Sequence, residues 1–142
     1  ANGDNVNFSG VNAKAANFSH VEMQGMNAKG ANLRDAMFEH ATLQGAELTG
    51  ANLREVGLEN ANLASADLRG ANLRGANAMH ADFTDADLEE ANLTEANLED
   101  AKMENANVEG ARLIEAVMPD GRIYKRGMDV AQYGLKGTPN DR

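Results

Sequence analysis

Small and large apolar residues return along this chain on a period of five. Ala, or another small apolar residue, stands at every fifth position, and Leu, Phe or Met follows two residues later, as in Ala51-Asn52-Leu53, Ala61-Asn62-Leu63, Ala66-Asp67-Leu68, Ala91-Asn92-Leu93 and Ala96-Asn97-Leu98. A helix repeats about every 3.6 residues and a strand about every 2, so this period fits neither. The register holds without insertion from Val6 to Met118, roughly 23 consecutive quintets, and the chain therefore reads as one repeat array. Each quintet has two inward positions, one small and one large, and three outward ones. Five residues of extended chain and a bend make one side of a polygon, and four sides make a square coil. Such a coil demands like residues 20 apart. Gly10, Gly30, Gly50, Gly70 and Gly110 form such a column, as do Asn12, Asn32, Asn52, Asn72 and Asn92; His20, His40 and His80; and Lys14, Arg34, Arg54 and Arg74.

Composition supports an interior built from small side chains. Of 142 residues, 42% are hydrophobic but only 4% aromatic, with no Trp, so Ala, Leu and Met must fill the core. The absence of Cys removes disulfides and thiolate metal sites. No run of about 18 apolar residues suggests a membrane span. A chain opening at Ala1-Asn2-Gly3 is compatible with a removed signal peptide, hence a periplasmic or thylakoid-lumenal location, and equally with a trimmed cytoplasmic chain.

The pattern A(N/D)LXX over residues 6 to 118 resembles the pentapeptide-repeat family. That resemblance implies an all-β fold, a right-handed quadrilateral parallel β-helix of about six coils, with the central Leu or Phe and the preceding Ala inward. The central residue is small at Ala13, Ala28 and Ala78, and the small position is enlarged at Val6, Val11, Val21, Met26 and Val56. Packing at near-constant volume explains why Ala13 accompanies Phe8 and Phe18, and Ala28 accompanies Met23 and Phe38. The coil of Leu63, Leu68, Leu73 and Ala78 suggests a small void or an inward-turned Met79. Stacked at about 4.8 Å per coil, the rod should be on the order of 29 Å long.

Rod ends carry unpaired backbone, so they need protection. The N-terminal end has only polar Ala1 to Asn5 before Val6. At the other end Pro119 cannot donate to a ladder, Asp120-Gly121 signals a turn, and Arg122 to Lys125 alternates like a short strand. Met128, Ala131 and Leu135 are spaced for a short helix ending near Gly134 or Gly137. The division is thus residues 1–118 as β-helix and 119–142 as a C-terminal cap with a loose tail from Thr138. A Met-Pro-Asp-Gly exit is also a feature the family resemblance implies.

Net charge is −9, unevenly distributed. Residues 81–100 carry Asp82, Asp85, Asp87, Glu89, Glu90, Glu95, Glu99 and Asp100 with no cation. This coil is a candidate docking surface for a basic partner, set against a solvated belt that keeps the rod soluble. The Arg34, Arg54, Arg74 column is a second candidate, with carboxylates at Asp35, Glu55, Glu95 and Glu115 in the next column forming an ion-pair ladder. His20 and His40 supply two imidazoles and no third, so no metal is assigned. No catalytic constellation, glycine-rich phosphate loop or cofactor motif is present, and direct nucleic-acid binding lacks the basic surface it needs. The resulting expectation is a non-enzymatic interaction module or scaffold, its partner an unidentified protein or a second copy joined through a β-helix end. Resemblance implies an alternative, a DNA-mimicking protector of a type II topoisomerase. A passive structural spacer is the third reading.

Overall fold

The computed structural model describes residues 3–142; Ala1 and Asn2, which open the N-terminal segment read above, lie outside the described residues. Every quintet builds one side of a square right-handed coil, and the reason is visible in its backbone hydrogen bonds. Number the residues of Ala51–Glu55 one to five. The position-three amide of Leu53 donates to Asn72 O (2.7 Å), and the position-five amide of Glu55 to Arg74 O (2.9 Å), both one coil up. The position-two amide of Asn52 donates to Ala31 O one coil down (2.9 Å). The position-one amide of the next quintet, Val56, closes the turn on Leu53 O (3.1 Å). One amide, that of Arg54, has no backbone acceptor in this scheme, and the Asn52 side-chain Oδ1 accepts from it at 3.2 Å. The Asn or Asp at position two thus completes the accounting that folded backbone requires.

Parallel single-residue bridges between position-two residues 20 apart run from Asn7↔Asn27 to Asn97↔Val117. The corners share one conformation. All position-five residues from Asn5 to Glu115 have positive φ, and the fifteen non-glycines among them lie between 59° and 67°. This explains the Gly and His columns together: both occupy the left-handed corner, which Gly adopts freely and Asn, Asp and His tolerate better than most residues.

The core is continuous. From Met26 to Met118 every position-one and position-three residue is buried, and no buried polar or charged residue occurs among those described. Phe18 and Phe38 stack in one column at 4.9 Å, with Phe8 beside Phe18 at 6.0 Å. The expectation of an inward Met79 is not met: Met79 is half-exposed and is not packed against the core. The small Ala78 is followed in the next side by the buried Phe83, so bulk returns one side later.

Beyond Met118 the chain folds back. Val117 pairs antiparallel with Ile123, and Tyr124 is buried at the rod end, donating its hydroxyl to Asp141 Oδ1 (2.9 Å). The helical segment is a single 3₁₀ turn, Ala131–Tyr133, ended by left-handed Gly134. Ala131 faces solvent; the buried apolar residues of this region are Tyr124, Val130 and Leu135, with Met128 half-buried against the core. The loose tail is also corrected. Lys136 bridges Asn107 in parallel, the Gly110 amide donates to Thr138 O (2.9 Å), and the Asn140 amide to Ala111 O (2.8 Å). Residues 134–140 therefore lie where a further coil would begin, and they satisfy edge groups that would otherwise stand open.

Candidate interaction surface

Because positions two, four and five all point outward, each side presents a central column flanked by two corner columns. The side centred on Asn12, Asn32, Asn52, Asn72 and Asn92 is chemically distinct. Asn32 Nδ2 donates to Asn12 Oδ1 (3.3 Å) and Asn52 Nδ2 to Asn32 Oδ1 (3.4 Å), while each Oδ1 also accepts a position-four amide. Its acceptors are occupied from within, so the remaining capacity is for donation.

One corner of this face carries Lys14, Arg34, Arg54 and Arg74. The expected ion-pair ladder is only partly formed: Arg34 lies 3.7 Å from Asp35 and Arg74 3.3 Å from Glu95. Nε of Arg34 and of Arg54 are buried with no hydrogen-bond partner. The opposite corner carries Lys29 and Arg69, which lean to the neighbouring side. Arg69 makes a bidentate contact with Asp67 (2.9 and 2.7 Å) and lies 3.8 Å from Asp87; Lys29 lies 3.9 Å from Glu47. The hydrogen bond from Arg69 holds the Asp67 carboxyl below its ordinary range.

The acidic coil distributes its eight carboxylates over all four sides. Asp85 and Glu90 sit at positive-φ corners, Asp82 and Asp87 at side centres, and Glu99 and Asp100 together at a third corner. Asp87 is tied to Arg69 and accepts from Asn107 Nδ2 (3.2 Å); Asp100 lies 3.8 Å from His80. Asp85, Glu89, Glu90 and Glu99 make no ion pair among the described residues. The structure thus separates the Arg column from most of the acidic coil. Asp85, Asp87, Glu89 and Glu90 fall along one side and its two corners.

The His20 and His40 rings stack at 5.0 Å. Among the described residues no group of three or more His, Cys, Asp or Glu could hold a metal ion, and no helix is long and apolar enough to cross a membrane. At the cap, an open cleft of about 570 Å³ is lined by Arg122, Ile123, Lys125, Arg126, Gly127 and Met128. Arg122 donates to Asp120 Oδ2 (2.7 Å), Gln132 and Tyr133. Partial desolvation pushes the Asp120 carboxyl up, but hydrogen bonds from Arg122 and Tyr133 outweigh it and leave the group below its ordinary range. Burial, helped by Asp141, pushes the Tyr124 hydroxyl up to about 12.

A square parallel coil, closed side by side every 20 residues and filled by two apolar columns per side, defines a right-handed quadrilateral β-helix. Two family models match it, pentapeptide repeats over residues 57–94 and 81–120 and a pentapeptide repeat region over residues 4–68, and the chain belongs to the pentapeptide-repeat family. Solved relatives share the fold. A pentapeptide repeat protein from the Arabidopsis thaliana thylakoid lumen is 25% identical over 71% of this chain and 70% of its own, with a TM-score of 0.68. One from the cyanobacterium Cyanothece 51142 is 29% identical over 77% and 84%, with a TM-score of 0.59. The plasmid-mediated fluoroquinolone resistance protein QnrB1 is 21% identical over 95% and 79%, with a TM-score of 0.49, a likeness on which no functional argument rests. No curated protein matches the chain in sequence. Proteins of this family are generally structural or interaction modules.

Proposed function

We propose that the chain is a non-enzymatic interaction rod whose fifth coil, residues 81–100, docks a basic protein partner. The observation that carries this reading is the set of carboxylates, Asp85, Glu89, Glu90 and Glu99, that make no ion pair within the rod and stand on a rigid frame. Preorganised charge of one sign accelerates encounter with a complementary surface and weakens as salt rises. A chemical role is disfavoured because the interior is filled by apolar side chains, and the one titratable side chain buried among the described residues, Tyr124, lies at the rod end with its hydroxyl donated to Asp141.

Changing Asp85, Asp87, Glu89 and Glu90 together to Asn or Gln leaves the backbone scheme intact, since all four point outward. Partner capture by the immobilised protein should then fall to background, while circular dichroism stays that of the parent. Undiminished capture by a folded variant removes the acidic coil as the docking surface. A supercoiling assay with a type II topoisomerase separates this reading from DNA mimicry. Mimicry is disfavoured because the first four coils carry six cations, whereas duplex DNA offers one negative charge per ~1.7 Å throughout.

A further inference from the structure

All six cations of residues 1–100, namely Lys14, Lys29, Arg34, Arg54, Arg69 and Arg74, lie on the two corners that bound the asparagine face. In the last two coils the same two corners carry Glu89, Glu90, Glu95, Glu109 and Glu115. One side of the rod is therefore bipolar along its axis in net charge, with charges on a single coil spacing: Asp35 and Glu55 offset two of the six cations at the N-terminal end, and Arg112 at the side centre offsets one of the five glutamates at the C-terminal end. We propose that this face pairs with the same face of a second copy, the two rods lying side by side and antiparallel.

The partner follows from geometry and charge. An anionic ligand that meets several rungs at once must repeat near 4.8 Å, whereas alternate side chains of an extended peptide repeat at ~6.6–6.8 Å. Another coil stack has the right period by construction, and this chain carries the complementary charges. A two-fold axis lying between the faces, level with the gap between the Asn72 and Asn92 rungs, sets Arg74 opposite Glu95, Arg54 opposite Glu115 and the corner of Arg69 opposite Glu89; Arg74 would then bridge the Glu95 carboxylates of both copies, and Arg69 would turn from Asp67 to reach Glu89. Each pairing occurs twice, and none of these three cations faces another. The two-fold closes the assembly as a dimer, because the same patch serves both copies. Gly30, Gly50 and Gly70 leave their corner bare, with no neighbour within 4 Å of where a side chain would begin, so a second rod can approach. Arg54 has no carboxylate within ion-pair distance in the single rod, and its Nε makes no hydrogen bond there. A face one side wide is at the small end of protein contacts, so the dimer is weak and salt-sensitive. The corner of Glu89 and Glu90 is shared by this contact and the docking surface proposed above, whereas Asp85, Asp87 and Glu99 stay free for that partner.

Sedimentation velocity across protein concentration tests this. A dimer should form at about 0.05 M salt, and its dissociation constant should rise about tenfold or more by about 0.5 M. Arg54→Glu with Arg74→Glu should be monomeric, as should Glu95→Arg with Glu115→Arg, and mixing the two should give a heterodimer tighter than the parent. Orientation is read separately in a chain without cysteine: Asn52→Cys mixed with Arg112→Cys should form an intermolecular disulfide, and Asn52→Cys alone should not. A parent that stays monomeric at every salt concentration overturns the proposal. So does a dimer insensitive to both charge reversals, or one in which Asn52→Cys crosslinks to itself.

Discussion

Replacing a corner residue by glycine should stabilise the rod, and the same replacement at a side centre should weaken it. Ser65 stands at a corner with φ of 60°, its amide donating to Thr84 O at 2.8 Å. Ala15 is a second corner with φ of 60°, its amide bonded to Arg34 O. Neither side chain makes a hydrogen bond or ion pair that glycine would lose, and both backbone bonds survive the change. A non-glycine residue in the left-handed region costs about 1–2 kcal/mol, and glycine returns roughly 0.4–1 kcal/mol of that through the greater freedom of the unfolded chain. The net gain is about 0.5 kcal/mol per corner. The two sites share no hydrogen-bond partner, so Ala15→Gly with Ser65→Gly should gain about 1 kcal/mol, or about 2–4 °C in thermal midpoint for a chain of this size. The reverse change, Gly50→Ala, meets no atom within 4 Å, so any loss is backbone strain alone, about 0.5 kcal/mol by the same reasoning. Thr42→Gly, at an extended side centre, should lose about 0.5–1 kcal/mol. Urea midpoints measured on all four variants decide the matter. If the corner glycines destabilise as much as Thr42→Gly, the corners are not strained and the account of the Gly and His columns fails.

Leu53→Asp should unfold the rod, because it places a carboxylate among buried apolar neighbours at a cost of several kcal/mol, whereas exposed-side Arg54→Ala should lose under about 1 kcal/mol; thermal melts in the opposite order would reverse the assignment of inward and outward positions. Deleting residues 134–142 strips the acceptors of the Asn105, Val108 and Gly110 amides and removes buried Leu135, so the shortened chain should self-associate in light scattering, and a persistent monomer would deny the tail its covering role. The Asp67 carboxyl is depressed by Arg69, so its contribution is present above the unfolded value of 3.8 and is lost as pH falls through the lower folded value; Asp67→Asn should flatten the acid limb of a stability–pH curve. Tyr124 is raised to about 12, so its contribution is intact below an unfolded value of about 10 and is lost as pH rises through the folded one; Tyr124→Phe should remove that alkaline loss, and an unchanged alkaline limb would contradict the burial of this hydroxyl and its hydrogen bond to Asp141.

The coil was legible because burial repeats without slip, so the inward positions from Met26 to Met118 could be assigned by counting alone. What the Asn column does was less accessible. The pattern shows Asn52 recurring, but only the backbone scheme shows that the Arg54 amide has no other acceptor. Cutting the coils at residue 80 hid Phe83 from the volume balance around Ala78, although the sequence contained both. The cap resisted reading because Lys136 pairs with Asn107 across 29 residues, a separation unrelated to the 20-residue coil. Reading the charged columns singly also concealed the bipolar face. Lys29 and Arg69 share no column with Arg34, Arg54 and Arg74, and become their neighbours only when corners are placed around a side.

Because every side is the same five-residue unit, length changes act on this rod as rotations. Insertion of 20 residues adds one storey of about 4.8 Å and leaves every column aligned. Insertion of a single quintet between Gly70 and Ala71 preserves all inward positions and every class of backbone bond, yet turns everything beyond it by a quarter revolution. The glutamates of the last two coils would then face a different compass point from Arg34 and Arg54, at almost no expense in stability. In such a molecule the relative bearing of two surface features is set by counting quintets, and family members of equal core and near-equal length can point their charges in wholly different directions.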